Sequence, residues 1–437
     1  MARKLSVIPF ILLFFILVLC FLFPVDPVAP ASTAEFVPAD VAWMLTASAF
    51  VLIMTPGLAF FYGGMVSKKN VISTMLQSFI CVAVITVIWL IFGFSLAFGK
   101  SYMGIIGDPT EFFMMRGVID GPAWSLAPTI PLVLFAMFQL KFAIITPALV
   151  TGAFAERMKF TSYVFFICLF FTFIYAPLAH ATWHPEGILF KLGVLDFAGG
   201  TVVHMSAGWA ALASAIYLKK RTDRVHSPAR ITYVILGTGL LWFGWFGFNA
   251  GSAFGANRLS VIALATTMSA SAAAALAWIF FDSAKGRKPS AMGTCIGAVV
   301  GLVAITPAAG FVSIPHSIII GIVSSLVSNL VVEWRSRTSI DDTLDVFPCH
   351  GVGGMVGMLL TGVFASKAIN PGIAENGLIF GETHLFLMQS AALIGASVFS
   401  FFGSLLLLKL TDLITPLRVT VEEEQSGLDI SQHGESL

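Results

Sequence analysis

The recurrence of long apolar stretches constrains this chain more than any other feature. From residue 40 onwards, apolar stretches of about 20 residues, enough for a helix to span the hydrocarbon core of a bilayer, alternate with short polar breaks. Only 11% of the residues are charged, whereas soluble domains have about 25%. The sequence therefore predicts an all-α polytopic membrane protein. Eleven transmembrane helices are expected, near residues 40–64, 71–98, 127–153, 161–180, 197–218, 231–251, 260–281, 291–310, 313–333, 346–366 and 385–410.

The basic residues predict how these helices are oriented. Lys and Arg cluster in alternate loops, and such loops lie on the cytoplasmic side of most membrane proteins. The clusters contain Lys68 and Lys69, Arg157 and Lys159, and the basic residues within 219–230, 285–288 and 335–337. We therefore expect a multi-pass protein with its mature N-terminus outside and its C-terminus in the cytoplasm.

Residues 1–34 have the pattern of a targeting segment. A basic start is followed by an apolar run from Leu5 to Phe23, and then by Pro24 and several small residues. The pattern indicates a signal peptide, although the run is long enough for an uncleaved N-terminal anchor. Export of this kind favours a bacterial-type inner membrane. Residues 35–412 are then the transmembrane domain, and residues 413–437 a cytoplasmic tail.

Charge and cysteine usage argue against other classes of protein. The formal net charge is +1 and no basic patch could follow a phosphate backbone, so nucleic acid is not an expected partner. The five cysteines all lie in apolar segments, and none forms a pair with metal-ligand spacing. Neither a metal nor an organic cofactor is expected.

The predicted helices also suggest an internal repeat. Helices 1–5 and 6–10 would form two halves of opposite orientation, an arrangement in which transporters place the substrate path between the halves. The eleventh helix would then be an addition. Each half ends in a helix that begins near an aspartate and contains a histidine, Asp196 with His204 and Asp345 with His350.

His204 and His350 are the first candidates for a functional site. Ionisable side chains inside membrane spans are costly and usually functional, although a single histidine can simply bond a neighbouring helix. Two of them at matching places favour a joint site. Imidazole accepts on one nitrogen and donates on the other, so a pair could relay protons or bind a small neutral base.

Aromatic residues supply a second group of candidates. Phe138 and Phe142 are four residues apart and share a helix face, and Phe248 lies in a glycine-rich stretch. Phenylalanine side chains in such places usually lie in the protein core or face the lipid. Trp183 stands at the outer end of a helix, where tryptophan commonly marks the membrane interface. Aromatic faces also attract cations.

Longer motifs resemble one known family. The similar stretches are residues 56–64 (PGLAFFYGG), 196–212 (DFAGGTVVHMSAGWAAL), 244–252 (GWFGFNAGS), 306–310 (TPAAG) and 341–351 (DDTLDVFPCHG). In order and content they are similar to the ammonium transporter family (Amt/Mep/Rh), in particular its bacterial Amt branch. The resemblance runs from about residue 40 to the C-terminus.

The resemblance implies a homotrimer with one narrow path per subunit, and roles for individual residues. The outer substrate-binding site would contain Phe142, Trp183 and Ser252. A stacked phenyl gate would be Phe138 and Phe248, and the pore histidines His204 and His350. Asp196 would be the family's aspartate near the outer site, although its place before a helix favours a helix cap.

Selectivity suggests a mechanism for such a path. Potassium resembles ammonium in size and charge but cannot lose its charge, and an unpaired charge in a dry pore costs many kcal/mol. We expect ammonium to be recruited outside, deprotonated near the gate and passed along the histidines as ammonia.

The alternatives are an ammonium sensor with the same site, an Rh-type gas channel, and a membrane enzyme using the two histidines as acid and base. The enzyme would need a nucleophile or metal ligands that the sequence does not offer.

Two further features stand apart from this path. Lys141 precedes Phe142, where a cation on the pore face is unexpected; an offset of about 100° should point it aside to a partner. The acidic tail after Leu417 is similar to the family's regulatory ending. We therefore expect it to dock on the inner face and to contact a PII-type signal protein.

Overall fold

A computed structural model describes residues 8–23, 36–223 and 227–437. The described part of the chain is mostly helical, with one short hairpin formed by β1 (Ser101–Tyr102) and β2 (Ile106–Gly107). The helices are α1 (Ile8–Leu22), α2 (Pro38–Met65), α3 (Val71–Ile88), α4 (Phe94–Phe98), α5 (Leu132–Phe154), α6 (Phe160–Phe170), α7 (Ala176–Trp183), α8 (Ile188–Lys191), α9 (Ser206–Leu218), α10 (Ile231–Gly251), α11 (Arg258–Ala284), α12 (Ala291–Ile305), α13 (Ile314–Ser336), α14 (Gly353–Phe364), α15 (His384–Ile414) and α16 (Val421–Ser426).

The prediction of a polytopic helical membrane protein is confirmed, but the count of eleven helices is not. In the described part of the chain, ten helices are long and apolar enough to cross a bilayer. The helix expected at 291–310 is α12, which has 15 residues and ends before Pro307. A proline removes a backbone donor and often follows a helix end. Residues 306–311 continue from α12 as turns.

The N-terminal helix α1 is largely exposed. Its large side chains are mostly open, with Phe10 70% and Phe21 83% exposed. Phe23, just beyond it, meets Phe113 edge to face with 5.3 Å between ring centroids. The expected cleavage region lies outside the described residues, so both a signal peptide and an anchor remain predictions.

Several membrane spans contain a wider π-helical turn. Such turns occur at Trp89–Gly93, Phe171–Tyr175, Gly200–Met205 and Phe347–Val352. A π turn carries one extra residue, changes the direction of its side chains, and often occurs at functional sites. The last two contain His204 and His350 at the starts of α9 and α14. This equivalence supports the predicted two-halves arrangement, which otherwise remains a prediction.

Glycines allow the helices of the bundle to approach closely. Helix α2 packs along α10, and a Cβ atom at Gly237 would lie 2.3 Å from the backbone nitrogen of Phe61. No larger residue fits there without separating the two helices. Small residues at such contacts are typical of helices that associate within lipid.

We call the end of the bundle with the β1–β2 hairpin the outer face and the opposite end the inner face. A buried ion network joins the loops of the inner face. The Arg221 guanidinium bonds both oxygens of Asp341 at 3.0 Å each and Glu156 at 2.6 Å. Burial alone would raise the pKa of Asp341, but the bonds and charge of Arg221 outweigh it and lower the pKa to about 2. Asp341 is therefore ionised at every physiological pH.

The C-terminal tail packs against this inner face. Arg418 donates to the carbonyls of Leu218 and Lys220 and pairs with Glu424 at 2.9 Å. Further along, the Asp429 carboxylate accepts from the first free backbone N–H groups of α3, at 3.1 Å from Ile72 and 2.8 Å from Ser73. The tail thus caps a helix that belongs to the transmembrane domain.

Candidate functional site

A pocket of about 130 Å³ opens at the outer face. Its lining includes Phe142, Trp183 and Ser252, the three residues expected to form the outer site. The Trp183 and Phe142 rings meet edge to face at 5.8 Å. The Ser252 hydroxyl donates its proton to the Phe248 carbonyl at 2.9 Å, which leaves its oxygen lone pairs free to accept. The pocket can therefore offer aromatic faces and an acceptor to a small cation.

Two further acceptors in this pocket were missed by the sequence analysis. Gln139 and Thr182 both line it and are buried. The Gln139 Oε1 and Thr182 Oγ1 atoms have no hydrogen-bond partner among the described residues. A buried unpaired acceptor is costly unless a ligand or water satisfies it. Gln139 lies between Phe138 and Phe142 in sequence. The position of a polar residue beside two candidate site residues could have identified it as a site residue.

Asp196 acts at this pocket through the backbone. Its carboxylate accepts from the N–H groups of Gly199, Gly200, Thr201 and Val202, at 2.7, 2.6, 2.8 and 3.4 Å. These are the free donors at the start of the helix that contains His204, so Asp196 is a helix cap. Gly199 precedes this helix with φ +115°, a conformation that favours glycine. The Asp196 carbonyl in turn accepts from Trp183 Nε1 at 3.0 Å and fixes the indole.

Below the pocket, two phenyl rings stack on each other. Phe142 and Phe248 stack at 4.1 Å between centroids with 28° between planes, and both are buried. The ring expected to stack on Phe248 was Phe138, whereas the structure stacks Phe142 there; the assignment of Phe138 and Phe248 as a gate stays a prediction. Phe138 instead meets Phe142 at 5.0 Å and Phe254 at 6.1 Å, both edge to face. Phe138 lies one helical turn above Phe142, so the lower ring faces Phe248.

The two histidines meet directly below this stack. The Nδ1 atoms of His204 and His350 are 3.4 Å apart, and their ring centroids 5.5 Å. One Nδ1 must therefore carry a proton while the other accepts. His204 also stacks on Trp245 at 5.3 Å. Both histidines are buried, and His204 Nε2 has no partner in the described part of the chain.

A close contact between two glycines brings these histidines together. A Cβ atom on Gly208 of α9 would lie 2.2 Å from the Cα of Gly351, the residue after His350. The backbone of α9 therefore touches that of the π turn before α14 beside the histidine pair. Any larger residue at Gly208 would separate the two π turns and lengthen the contact between the imidazoles.

A small cavity lies beside the histidines. It has about 10 Å³ and is lined by Phe248, His204, His350 and apolar side chains. This volume is close to that of one water-sized molecule. No group of three or more His, Cys, Asp or Glu side chains in the described residues is arranged to hold a metal ion. The cavity is thus narrow and apolar except for imidazole nitrogens.

Comparison with known proteins agrees with these motifs. The profile of the Ammonium Transporter Family matches residues 42–437. An ammonium transporter of Bacillus subtilis is 44% identical over 400 residues, covering 91% of this chain and 97% of the relative. One of Aquifex aeolicus is 43% identical over 409 residues, covering 93% and 95%. The crystal structure of Saccharomyces cerevisiae Mep2 matches with a TM-score of 0.84 and 37% identity, covering 89% of each chain. The chain therefore belongs to the ammonium transporter family.

Proposed function

We propose that this chain transports ammonium by recruiting it in the outer pocket, removing one proton near the phenyl stack, and passing ammonia through the pore beside the histidines. The observation that carries the proposal is the order of these features along one path. A pocket with aromatic faces and free acceptors is followed by stacked phenyl rings, and then by a one-molecule cavity beside two imidazoles.

The outer pocket suits ammonium because it combines two kinds of attraction. The faces of Trp183 and Phe142 attract a cation by about 0.5 to 2 kcal/mol each, depending on desolvation. Ser252, Gln139 and Thr182 offer oxygen atoms that can accept the N–H donors of ammonium. Recruitment by both means would concentrate ammonium above the phenyl stack.

The pore below can exclude ions that keep their charge. Potassium would enter a cavity lined by apolar side chains with no carboxylate to pair it, at a cost of several kcal/mol. Ammonium avoids this cost by losing a proton. Ammonia can then donate to or accept from the imidazole nitrogens, of which His204 Nε2 is unpaired in the described part. The histidines also form a continuous N–H to N contact along which a proton could move separately.

We further propose the setting in which this transport occurs. The chain would lie in a bacterial-type inner membrane with its N-terminus outside and its tail in the cytoplasm, as a homotrimer with one path per subunit. The distribution of Lys and Arg supports the orientation. The docked tail supports a regulatory contact at the inner face, for which a PII-type signal protein is the proposed partner.

The decisive experiment places purified protein in liposomes and applies an ammonium jump while membrane current and internal pH are recorded. A current indicates electrogenic transport, whereas internal alkalinisation without current indicates passage of ammonia alone. An equal potassium jump and protein-free liposomes are the controls. Absence of both signals in folded protein would contradict transport and favour ammonium sensing by the same site.

A further inference from the structure

The outer pocket is much larger than ammonium requires. Its volume is about 130 Å³, whereas about 10 to 15 Å³ is enough for one water molecule, and ammonium is similar in size to water. Its lining includes Phe135, Gln139 and Phe142 of α5, whose spacing places them on one helix face. From Phe135 to Phe142 the helix rises about 10 Å. The pocket therefore extends outwards beyond the level of Phe142.

The outward part of the pocket is lined by aromatic rings, and we call it the upper level (Trp124, Phe135 and Phe254). Trp124 stacks on Phe135 at 5.3 Å between ring centroids, and Phe254 meets Phe135 at 5.4 Å. All three line the pocket. Phe254 has φ +54°, a left-handed conformation that is rare for a bulky residue. Such conformations persist where the surroundings hold them, and they cluster at ligand-binding sites.

The charges around the pocket favour a cation. Among the described residues that line it, Asp196 is the only ionisable one. The unpartnered oxygens of Gln139 and Thr182 add further negative potential. Lys141, the one cation of α5, does not line the pocket and has no hydrogen-bond or ion-pair partner in the described part of the chain. Aromatic rings recognise ammonium groups that carry methyl substituents. The pocket thus suits a ligand with one positive charge and an apolar surface.

The region below the pocket would stop such a ligand from passing. Phe142 and Phe248 stack there at 4.1 Å, and the cavity beside the histidines has only about 10 Å³. A quaternary ammonium ion has no N–H proton to lose, so it would have to enter this cavity as a charged ion, at a high desolvation cost. It is also larger than the cavity. The ion would therefore remain in the outer pocket.

We propose that the upper level binds an organic ammonium ion with several N-methyl groups, which blocks the entry of ammonium. The methyl groups would contact Trp124, Phe135 and Phe254, and the bound ion would occupy the space above Phe142. This inference deepens the proposed function, because it adds a second class of ligand to the same pocket. It rests on that function for the measurement of current, whereas direct binding tests it independently.

The experiment uses tetramethylammonium as the ligand. Isothermal titration calorimetry measures its binding to purified protein, and the ammonium current in liposomes measures its effect on transport. It should bind at one site per chain and raise the ammonium concentration that gives half-maximal current, without lowering the maximal current. tert-Butanol, a neutral molecule of similar shape, is the control for apolar contact alone and should do neither.

Variants separate the upper level from the site proposed for ammonium. Trp124→Leu should weaken tetramethylammonium binding about fivefold, the effect of one aromatic face, and Trp124→Phe should keep most of it. Ser252→Ala should weaken ammonium binding but leave tetramethylammonium unaffected, because that ion has no N–H to donate. Trp334→Leu changes an exposed tryptophan near the inner end of α13 and is the matched control. Should Trp124→Leu fail to fold, Phe254→Leu gives the same test.

Several outcomes would overturn the assignment. No binding of tetramethylammonium by protein that transports ammonium would exclude the site, and equal inhibition by tert-butanol would exclude a preference for cations. A lower maximal current at unchanged half-saturation would place the ion elsewhere. Undiminished binding by both Trp124→Leu and Phe254→Leu would exclude the upper level. Tetramethylammonium binding that depends on Trp124, in protein without ammonium transport, would support this site and contradict the proposed function.

Discussion

The pore and the inner face are stabilised by opposite kinds of contact. Between the phenyl stack and the histidines, the path is formed by rings that pack on rings, and one contact between nitrogens at 3.4 Å is its main polar interaction. At the inner face, the tail is held by hydrogen bonds and ion pairs through Arg418, Glu424 and Asp429. The pore therefore contains few polar contacts, whereas the contacts of the tail at the inner face are mainly polar.

This difference predicts how each region responds to change. In a dry pore a new charge or a lost ring has no water to compensate for it, so effects should be large and should alter selectivity. At the inner face Glu424 and Asp429 are buried, but their hydrogen bonds are replaced by bonds to water when the tail detaches, so each contributes only about 1 kcal/mol net. Changes to the tail should therefore be graded, and should alter transport rate without altering which ion is carried.

The largest effect is expected from the histidine pair. His204→Asp introduces a fixed negative charge beside the one-molecule cavity, and His350→Ala opens space for water. Each should either abolish ammonium flux or convert it into a current shared by potassium. The desolvation of an ion amounts to several kcal/mol, so discrimination of about a hundredfold or more depends on the pore remaining dry.

Potassium and ammonium currents recorded in the same liposomes provide the measurement. His316→Ala is the matched control, because His316 stacks on Phe364 at 4.6 Å and does not line the cavity beside the histidine pair. A His204 variant with full flux and undiminished ammonium selectivity would show that the pair is structural. The contrast between the two regions would then lose its main support.

A smaller effect is expected from removal of the tail. Truncation after Leu417 deletes Arg418, Glu424 and Asp429 and uncaps α3. Ammonium flux should fall about fivefold or more, the range typical of coupling between distant sites, while potassium remains excluded. Binding of a PII-type protein should be lost and the oligomeric mass retained. Unchanged flux together with unchanged PII binding would refute a regulatory tail.

The sequence predicted the membrane spans and the histidines for a clear physical reason. Apolar length and intramembrane charge are properties of single segments, so they can be read without knowing which helices touch. The prediction that His204 and His350 form a joint site required one further hypothesis, that the chain contains two halves with equivalent helices. The contact itself depends on the close approach of Gly208 and Gly351. These glycines are far apart in sequence, so neither sequence segment by itself predicts that they touch.

The predictions that differ from the structure concern features that depend on how the helices pack in three dimensions. The stacked ring pair was assigned one turn too high on α5, because spacing places Phe138 and Phe142 on one face without showing which is level with Phe248. Gln139 was missed although it lies between two aromatic candidates in sequence, because only the structure shows that it lines the pocket with an amide oxygen that has no partner among the described residues. The length of α12 depended on where Pro307 ends the helix, which apolar composition does not mark.

Substitutions of Trp183 test the role of the outer pocket. Trp183→Leu removes a cation-binding face of about 1 kcal/mol and should weaken apparent ammonium affinity about fivefold. Trp183→Phe keeps an aromatic face but loses the hydrogen bond to the Asp196 carbonyl, so its affinity should fall between the two. Concentration dependence of the ammonium current gives the affinities. Identical curves for wild type and Trp183→Leu would make Trp183 an interface residue only.

Asp429→Asn should give the smallest effect and tests whether the tail responds in the graded manner proposed. The substitution keeps one oxygen to accept from Ser73, replaces the oxygen that accepts from Ile72 by an NH2 group, and removes the negative charge at the start of α3. The charge contributes about 0.5 kcal/mol and the longer hydrogen bond about as much, so the released tail should become about fivefold more populated. Limited proteolysis of residues 418–437 measures that population as a cleavage rate. Glu435→Gln, an exposed change in the same tail, is the control. Loss of ion selectivity in Asp429→Asn would contradict the separation of pore and inner face, because it would mean that the tail shapes the pore itself.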